Sequence, residues 1–212
     1  IEDVKASIRA AGAAGIPIVE YNFYVHRLIE GYYDHPDPSR GNALVESFDY
    51  QRAIHQKPLA DEIVQPEETT WANLKYFLDA VVPVAEAAHV RLALHPNDPP
   101  APLSAGSHQI MSTLAGWKRM VALHDSPSNC IIFDCGVTRE LGENPVEVAH
   151  YFGSRDRIGH VHWRNVRLRK PHVDYTEVWP DNGDNNMLAV KKELVAEKYR
   201  YMIFPEHARG LD

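Results

Sequence analysis

Apolar and polar positions fall along this chain in blocks that read alternately as helix and strand. Ile1–Ala14 has helical spacing, with Gly12 and Gly15 near its end. Gly15-Ile16-Pro17-Ile18-Val19-Glu20-Tyr21-Asn22-Phe23 is a short apolar run behind glycine, the form of a buried strand. Tyr24–Gln65 shows no clear period and carries Gly31, Pro36, Pro38 and Gly41 among many charges; residues 24–65 are expected to be an irregular lid or interface arm. Pro66–Thr70 opens a helix that continues through Trp71–Ala88. Arg91–His95 is a strand, stopped by Pro96-Asn97-Asp98-Pro99-Pro100. A helix over about His108–Leu123 precedes the strand Cys130–Cys135, which Gly136 closes. Asn144-Pro145 opens a helix to about Phe152, with proline suited to its first turn. Arg157–Trp163 is a strand, Asn165–Asp184 a polar loop, Asn186–Glu197 a helix and Tyr199–Phe204 the last strand.

This alternation predicts an α/β fold with a parallel sheet under covering helices. A doubly wound sheet and a (β/α)₈ TIM barrel both satisfy it. No glycine-rich phosphate loop follows a strand, which removes support for a dinucleotide fold. A barrel typically takes about 250 residues and eight strands, whereas about five strands are clear here. The expectation is a single TIM-barrel-like domain over residues 1–212, with strands missing at both ends.

Composition narrows the function. The 212 residues include 22 Lys+Arg and 29 Asp+Glu, a formal net charge of −7, which argues against a nucleic-acid partner. No apolar run approaches the roughly 20 residues of a membrane span, and no signal peptide is expected at Ile1–Ala14. Two cysteines cannot form a disulfide framework, so a reducing, cytoplasmic setting is expected. Twelve histidines raise the question of metal or acid–base chemistry.

Their positions sharpen it. The last four strands end in His95, Cys135, His162 and Glu206-His207. The C-terminal edge of a parallel sheet is where α/β sites are built. Imidazole, thiolate and carboxylate together suit a divalent transition metal, so His95, Cys135, His162 and Glu206 are candidate ligands. His207 is the candidate general acid/base. Cys130, five residues before Cys135, faces the opposite side of its strand and reads as core. His160 shares a strand face with His162.

The chain also resembles the mannonate dehydratase family, which has the xylose-isomerase-like barrel. The resemblance rests on Gly15–Phe23, Trp71–Phe77, Val82–Glu86, Leu92–Pro100, Asp125–Asn129, Cys135-Gly136, His162-Trp163-Arg164-Asn165-Val166 and Pro205-Glu206-His207. It implies dehydration of the sugar acid D-mannonate to 2-dehydro-3-deoxy-D-gluconate, with a divalent metal (Mn²⁺ or Fe²⁺) on His95, Cys135, His162 and Glu206, and His207 as acid/base residue. It further implies a homo-oligomer. Glu206 stands where the family has aspartate, Asn97 departs from an aspartate, and a catalytic tyrosine is implied beyond Asp212. Arg164 is expected to clamp the substrate carboxylate and act in catalysis, and Asn22, Asp98 and Asn165 to bind sugar hydroxyls. A metal-dependent isomerase or epimerase of the same barrel type and a non-catalytic sugar-acid-binding fragment are the alternatives.

Overall fold

In the computed structural model, which describes residues 1–26 and 30–207, the apolar runs become a parallel sheet. The elements in chain order are α1 (Glu2–Ala13), β1 (Ile18–Tyr21), β2 (Tyr32–Asp37), β3 (Ala43–Asp49), α2 (Tyr50–Ala53), α3 (Glu67–Ala87), β4 (Arg91–Leu94), β5 (Leu103–Ser104) and β6 (Ser107–His108). There follow α4 (Leu114–Leu123), β7 (Asn129–Asp134), α5 (Cys135–Glu140), α6 (Pro145–Gly153), β8 (Ile158–His162), β9 (Asn165–Lys170), β10 (Asp174–Val178), α7 (Met187–Ala196) and β11 (Ile203–Phe204). Five parallel strands pair in the order β1-β4-β7-β8-β11, with helices packed on one face. This is an arc of a (β/α) barrel.

Strand periodicity separates the two faces of the arc. Leu92, Leu94, Ile131, Phe133, Ile158 and Val161 join Trp71, Leu78, Trp117 and Phe152 of the helices in the main core. The alternate positions Ile18, Ala93, Cys130 and Ile132 form a small cluster on the inner face. Cys130 is fully buried there and its thiol donates to the Leu92 carbonyl at 3.3 Å, the core role expected of it. The arc closes tightly over this layer: a Cβ on Gly159 would lie 2.6 Å from Cys130 Sγ and 2.7 Å from Ala93 Cβ. Here the β7–β8 register slips by one residue, so His160 pairs with Ile132 and His162 with Asp134.

Most boundaries follow local chemistry. Thr113, Asn144 and Asn186 cap the first turns of α4, α6 and α7 by accepting backbone N–H bonds, and Pro145 opens α6. The helix expected from His108 starts only at Leu114, because His108 belongs to the β5–β6 hairpin.

Two expectations need correction. Within residues 24–65, of which 27–29 lie outside the described residues, the chain is irregular only in part: it forms the β2–β3 hairpin and α2, and residues 54–65 hold no helix or strand. The expected polar loop 165–184 forms the hairpin β9–β10. The two hairpins join as an antiparallel sheet, β2-β3-β10-β9, over a second core of Phe48, Tyr50, Ala53, Ala101, Val166 and Tyr175. Exposed or half-exposed charges on these strands, such as Asp34, Arg167 and Arg169, blur the apolar period, and Pro36 sits within β2.

Candidate metal centre and acid–base site

Glu20, His95, Asp134, His162 and Glu206 occupy inner-face positions at or just past the C-terminal ends of β1, β4, β7, β8 and β11. One donor atom from each of His95, Asp134, His162 and Glu206 lies within 4.8 Å of the others. His95 Nε2 is 3.1 Å from His162 Nδ1 and 3.8 Å from Asp134 Oδ2. His162 Nδ1 is 3.6 Å from Asp134 Oδ2 and 2.7 Å from Glu206 Oε1. His95 Nδ1 donates to the Pro96 carbonyl at 2.7 Å, which leaves Nε2 as the nitrogen with a lone pair facing the cluster.

The donor set fits a divalent metal. Asp134 Oδ2 and Glu206 Oε1 are buried and accept no hydrogen bond of good geometry. Buried carboxylate oxygens are costly unless a cation meets them. Two imidazole nitrogens and two carboxylate oxygens are ligands of the kind manganese, iron and zinc accept. Burial alone would lower the His162 pKa; the carboxylates of Asp134, Glu20 and Glu206 beside its two nitrogens override it and raise the pKa to about 11. The negative charge of the carboxylates gathered around this imidazole is what a metal ion would neutralise.

Cys135 does not join this set. It is the first residue of α5, fully buried, with its side chain in the helix-side core. Burial pushes its thiol well above the usual range, the opposite of what a free thiolate needs. Strand parity is the reason: the inner-face residue of β7 is Asp134, one position earlier. Asp134 Oδ1 also caps α5 by accepting from Val137 N at 2.8 Å.

Arg164 lies beside this cluster, 1% exposed. Its guanidinium pairs with Asp98 Oδ2 at 2.7 Å, Glu177 Oε1 at 2.9 Å, Glu140 Oε1 at 3.0 Å and Asp134 Oδ1 at 3.4 Å. Gly136 leaves room for it, since a Cβ there would strike Arg164 Nε. Arg164 is therefore committed to internal carboxylates rather than free to clamp a substrate. Asn165 is equally committed: Nδ2 donates to Pro180 O and Asn185 O, and Oδ1 accepts from Val166 N and Asn185 N. Asp98 borders the cavity, but Arg164 takes one of its oxygens and the Tyr175 hydroxyl, at 3.1 Å, the other.

His207 Nδ1 lies 2.5 Å from Glu177 Oε2. Burial and the Arg164 charge lower its pKa, but the Glu177 hydrogen bond and charge prevail and raise it. A cavity of about 560 Å³ opens on His95, His162, Glu206 and His207, with Asn22 and Glu20 on its wall. Of the expected site residues, His95, His162, Glu206, His207, Asn22 and Asp98 border this space together. Asp134, Glu20 and Glu177 escaped the sequence reading. Their signals were strand parity for Asp134 and a carboxylate inside an apolar run for Glu20.

Comparison with known proteins shows which family the chain belongs to. The model of the D-mannonate dehydratase (UxuA) family matches residues 52–212. The chain belongs to the D-mannonate dehydratase family. Among curated members it is 33% identical to the mannonate dehydratase of Streptococcus suis, over all of this chain and 64% of that protein. It is 31% identical to that of Bacillus subtilis, over all of this chain and 66% of that protein. It thus spans about two-thirds of the length of these relatives. The crystal structure of mannonate dehydratase from S. suis serotype 2 superposes with a TM-score of 0.86 at 31% identity, covering 97% of this chain and 61% of that one. A crystal structure of the IOLI protein with a zinc atom shares only the fold, with a TM-score of 0.60 at 14% identity, covering 97% of this chain and 59% of that one.

Proposed function

We propose that the chain carries the metal centre and acid–base histidine of a dehydratase that converts D-mannonate to 2-dehydro-3-deoxy-D-gluconate and water. The observation that carries this reading is the convergence of His95, Asp134, His162 and Glu206, with two buried carboxylate oxygens that accept no hydrogen bond of good geometry, on a cavity that also presents His207. Family membership supplies the substrate class.

The reaction removes the proton on C2, breaks the C3–O bond and returns a proton to C3 as the resulting enol becomes a ketone. A Mn²⁺ or Fe²⁺ ion held by His95, Asp134, His162 and Glu206 would supply Lewis-acid stabilisation of the charge that develops on substrate oxygens. His207 moves a proton, taking it from C2 or giving it to the leaving hydroxyl. Glu177 engages Nδ1 of His207, which leaves Nε2 for the substrate. Arg164 holds Glu177 and Asp134 in place and thereby fixes both halves of the site. Asn22, on the cavity wall, is placed to bind a sugar hydroxyl.

The test is incubation of the chain with D-mannonate and Mn²⁺ or Fe²⁺, followed by detection of the 2-keto-3-deoxy acid. Product is expected from the wild type, and its absence with every divalent metal tried overturns the proposal. His207→Ala is expected to retain Mn²⁺ and lose turnover; full turnover in that variant removes its acid–base role.

A further inference from the structure

Glu20 lies on β1 and touches β8, although β4 and β7 stand between them in the sheet. Three flat strand spacings would separate β1 from β8 by about 14 Å. The curl of the arc and the small side chains of Ala93 and Cys130, with Gly159, bring the two together. Glu20 Oε2 lies 3.4 Å from His162 Nε2 and 3.3 Å from His160 Nδ1. The two rings stand edge to face, with centroids 5.0 Å apart. His160 is 7% exposed and packs near Phe204, so it anchors the carboxylate on its buried side.

A histidine that ligates a metal through one nitrogen carries its proton on the other, and a carboxylate accepting that proton fixes both tautomer and ring orientation. His162 turns Nδ1 to His95, Asp134 and Glu206, and Nε2 to Glu20. We infer that Glu20 is a positioning residue: it accepts the Nε2–H of His162 and so presents the Nδ1 lone pair to the metal centre, while His160 holds the carboxylate in register. This rests on the metal reading above. The contacts of His162 to Asp134 and Glu206 run from Nδ1, and its contact to Glu20 from Nε2. Glu20 itself stands outside the group formed by His95, Asp134, His162 and Glu206.

The test uses Zn²⁺, which is diamagnetic, with ¹⁵N-histidine-labelled protein. Calorimetry gives affinity and stoichiometry, and long-range ¹H–¹⁵N spectra give the tautomer. The wild type is expected to bind one Zn²⁺, with His162 protonated on Nε2 only. Glu20→Ala is expected to bind Zn²⁺ about 10–100-fold more weakly, the usual cost of losing a carboxylate behind a ligating histidine. Glu20→Gln preserves size and an acceptor oxygen; it is expected to keep the Nε2–H tautomer and recover most of the affinity. A wild type that takes up no Zn²⁺ overturns the metal reading, and this inference with it. Uptake by the wild type with unchanged affinity in both variants overturns this inference alone. So does a stoichiometry of two that falls to one in Glu20→Ala, because Glu20 would then be a ligand of a second ion with His160.

Discussion

Replacing Arg164 by methionine keeps most of the side-chain volume and removes a cation shared by four carboxylate groups, three of them buried and Asp98 on the cavity border. Asp98, Asp134, Glu140 and Glu177 surround it at 2.7–3.4 Å. At about 3 Å and an effective dielectric near 20, each pair attracts by roughly 5 kcal/mol before the cost of burial is counted. Most of that attraction offsets desolvation. Removing one partner alone leaves uncompensated buried charge, which costs about 3–5 kcal/mol. Glu140 already shows the direction of the response: burial holds its carboxyl well above the ordinary range even with Arg164 present. Without the guanidinium, at least one more carboxyl is expected to bind a proton in the folded state that it does not bind when unfolded. A carboxyl with a raised folded-state pKa stabilises below its unfolded pKa, and that stability is lost as pH rises through the folded value. Per such proton the slope is about −1.4 kcal/mol per pH unit. Arg164→Met should therefore be about 3–5 kcal/mol less stable than wild type at pH 8 and regain up to about 3 kcal/mol of that gap by pH 6. Urea unfolding followed by far-UV circular dichroism at the two pH values measures both quantities. A variant within 1 kcal/mol of wild type at pH 8, impaired only in KM, would refute the network and restore Arg164 as a substrate clamp.

Asp134→Asn is expected to weaken Mn²⁺ binding by more than about 100-fold and Cys135→Ser by less than about threefold, as read by equilibrium dialysis; the reverse order would return the ligand role to the thiol. Metal uptake at pH 7.5 should release about one proton, because carboxylates hold the His162 imidazole protonated up to about pH 11 until an ion displaces the proton. Calorimetry in buffers of different ionisation enthalpy reads this proton, and no dependence on the buffer would contradict the protonated state.

The barrel arc was legible because its strands are short apolar runs between amphipathic helices, and buried parallel strands have that pattern. β2, β3, β9 and β10 were not legible. Their outer faces carry charges such as Asp34, Arg167 and Arg169, and their inner faces pack on a small second core whose partners lie far apart in the chain. Phe48 meets Tyr175 at a centroid distance of 5.6 Å across more than half the sequence. No local window contains that pairing.

The residues expected from the sequence and the cluster in the fold differ at one position, Cys135 against Asp134, and the difference has a physical cause. A strand end identifies the rim, but only parity identifies which of two adjacent residues points inward. At β8 the two criteria agree, since His162 is both the last residue of its strand and on the inner face. At β7 they separate: the chain turns directly into α5, so Cys135 has left the strand for the first helical turn while Asp134 still faces the cluster. Asp134 then serves three neighbours at once, capping α5 through Oδ1, pairing with Arg164 through the same oxygen and facing the two histidines through Oδ2. Arg164 extends that link to Glu177, and Glu177 to His207. The proposed metal centre and the proposed acid–base histidine are thus held by one buried ionic chain through Asp134, Arg164 and Glu177, whose members lie on β7, just past β8 and on β10. A change at any of the three should disturb both functions together, whereas Glu20 and His160, on the far side of His162, should affect the metal centre alone.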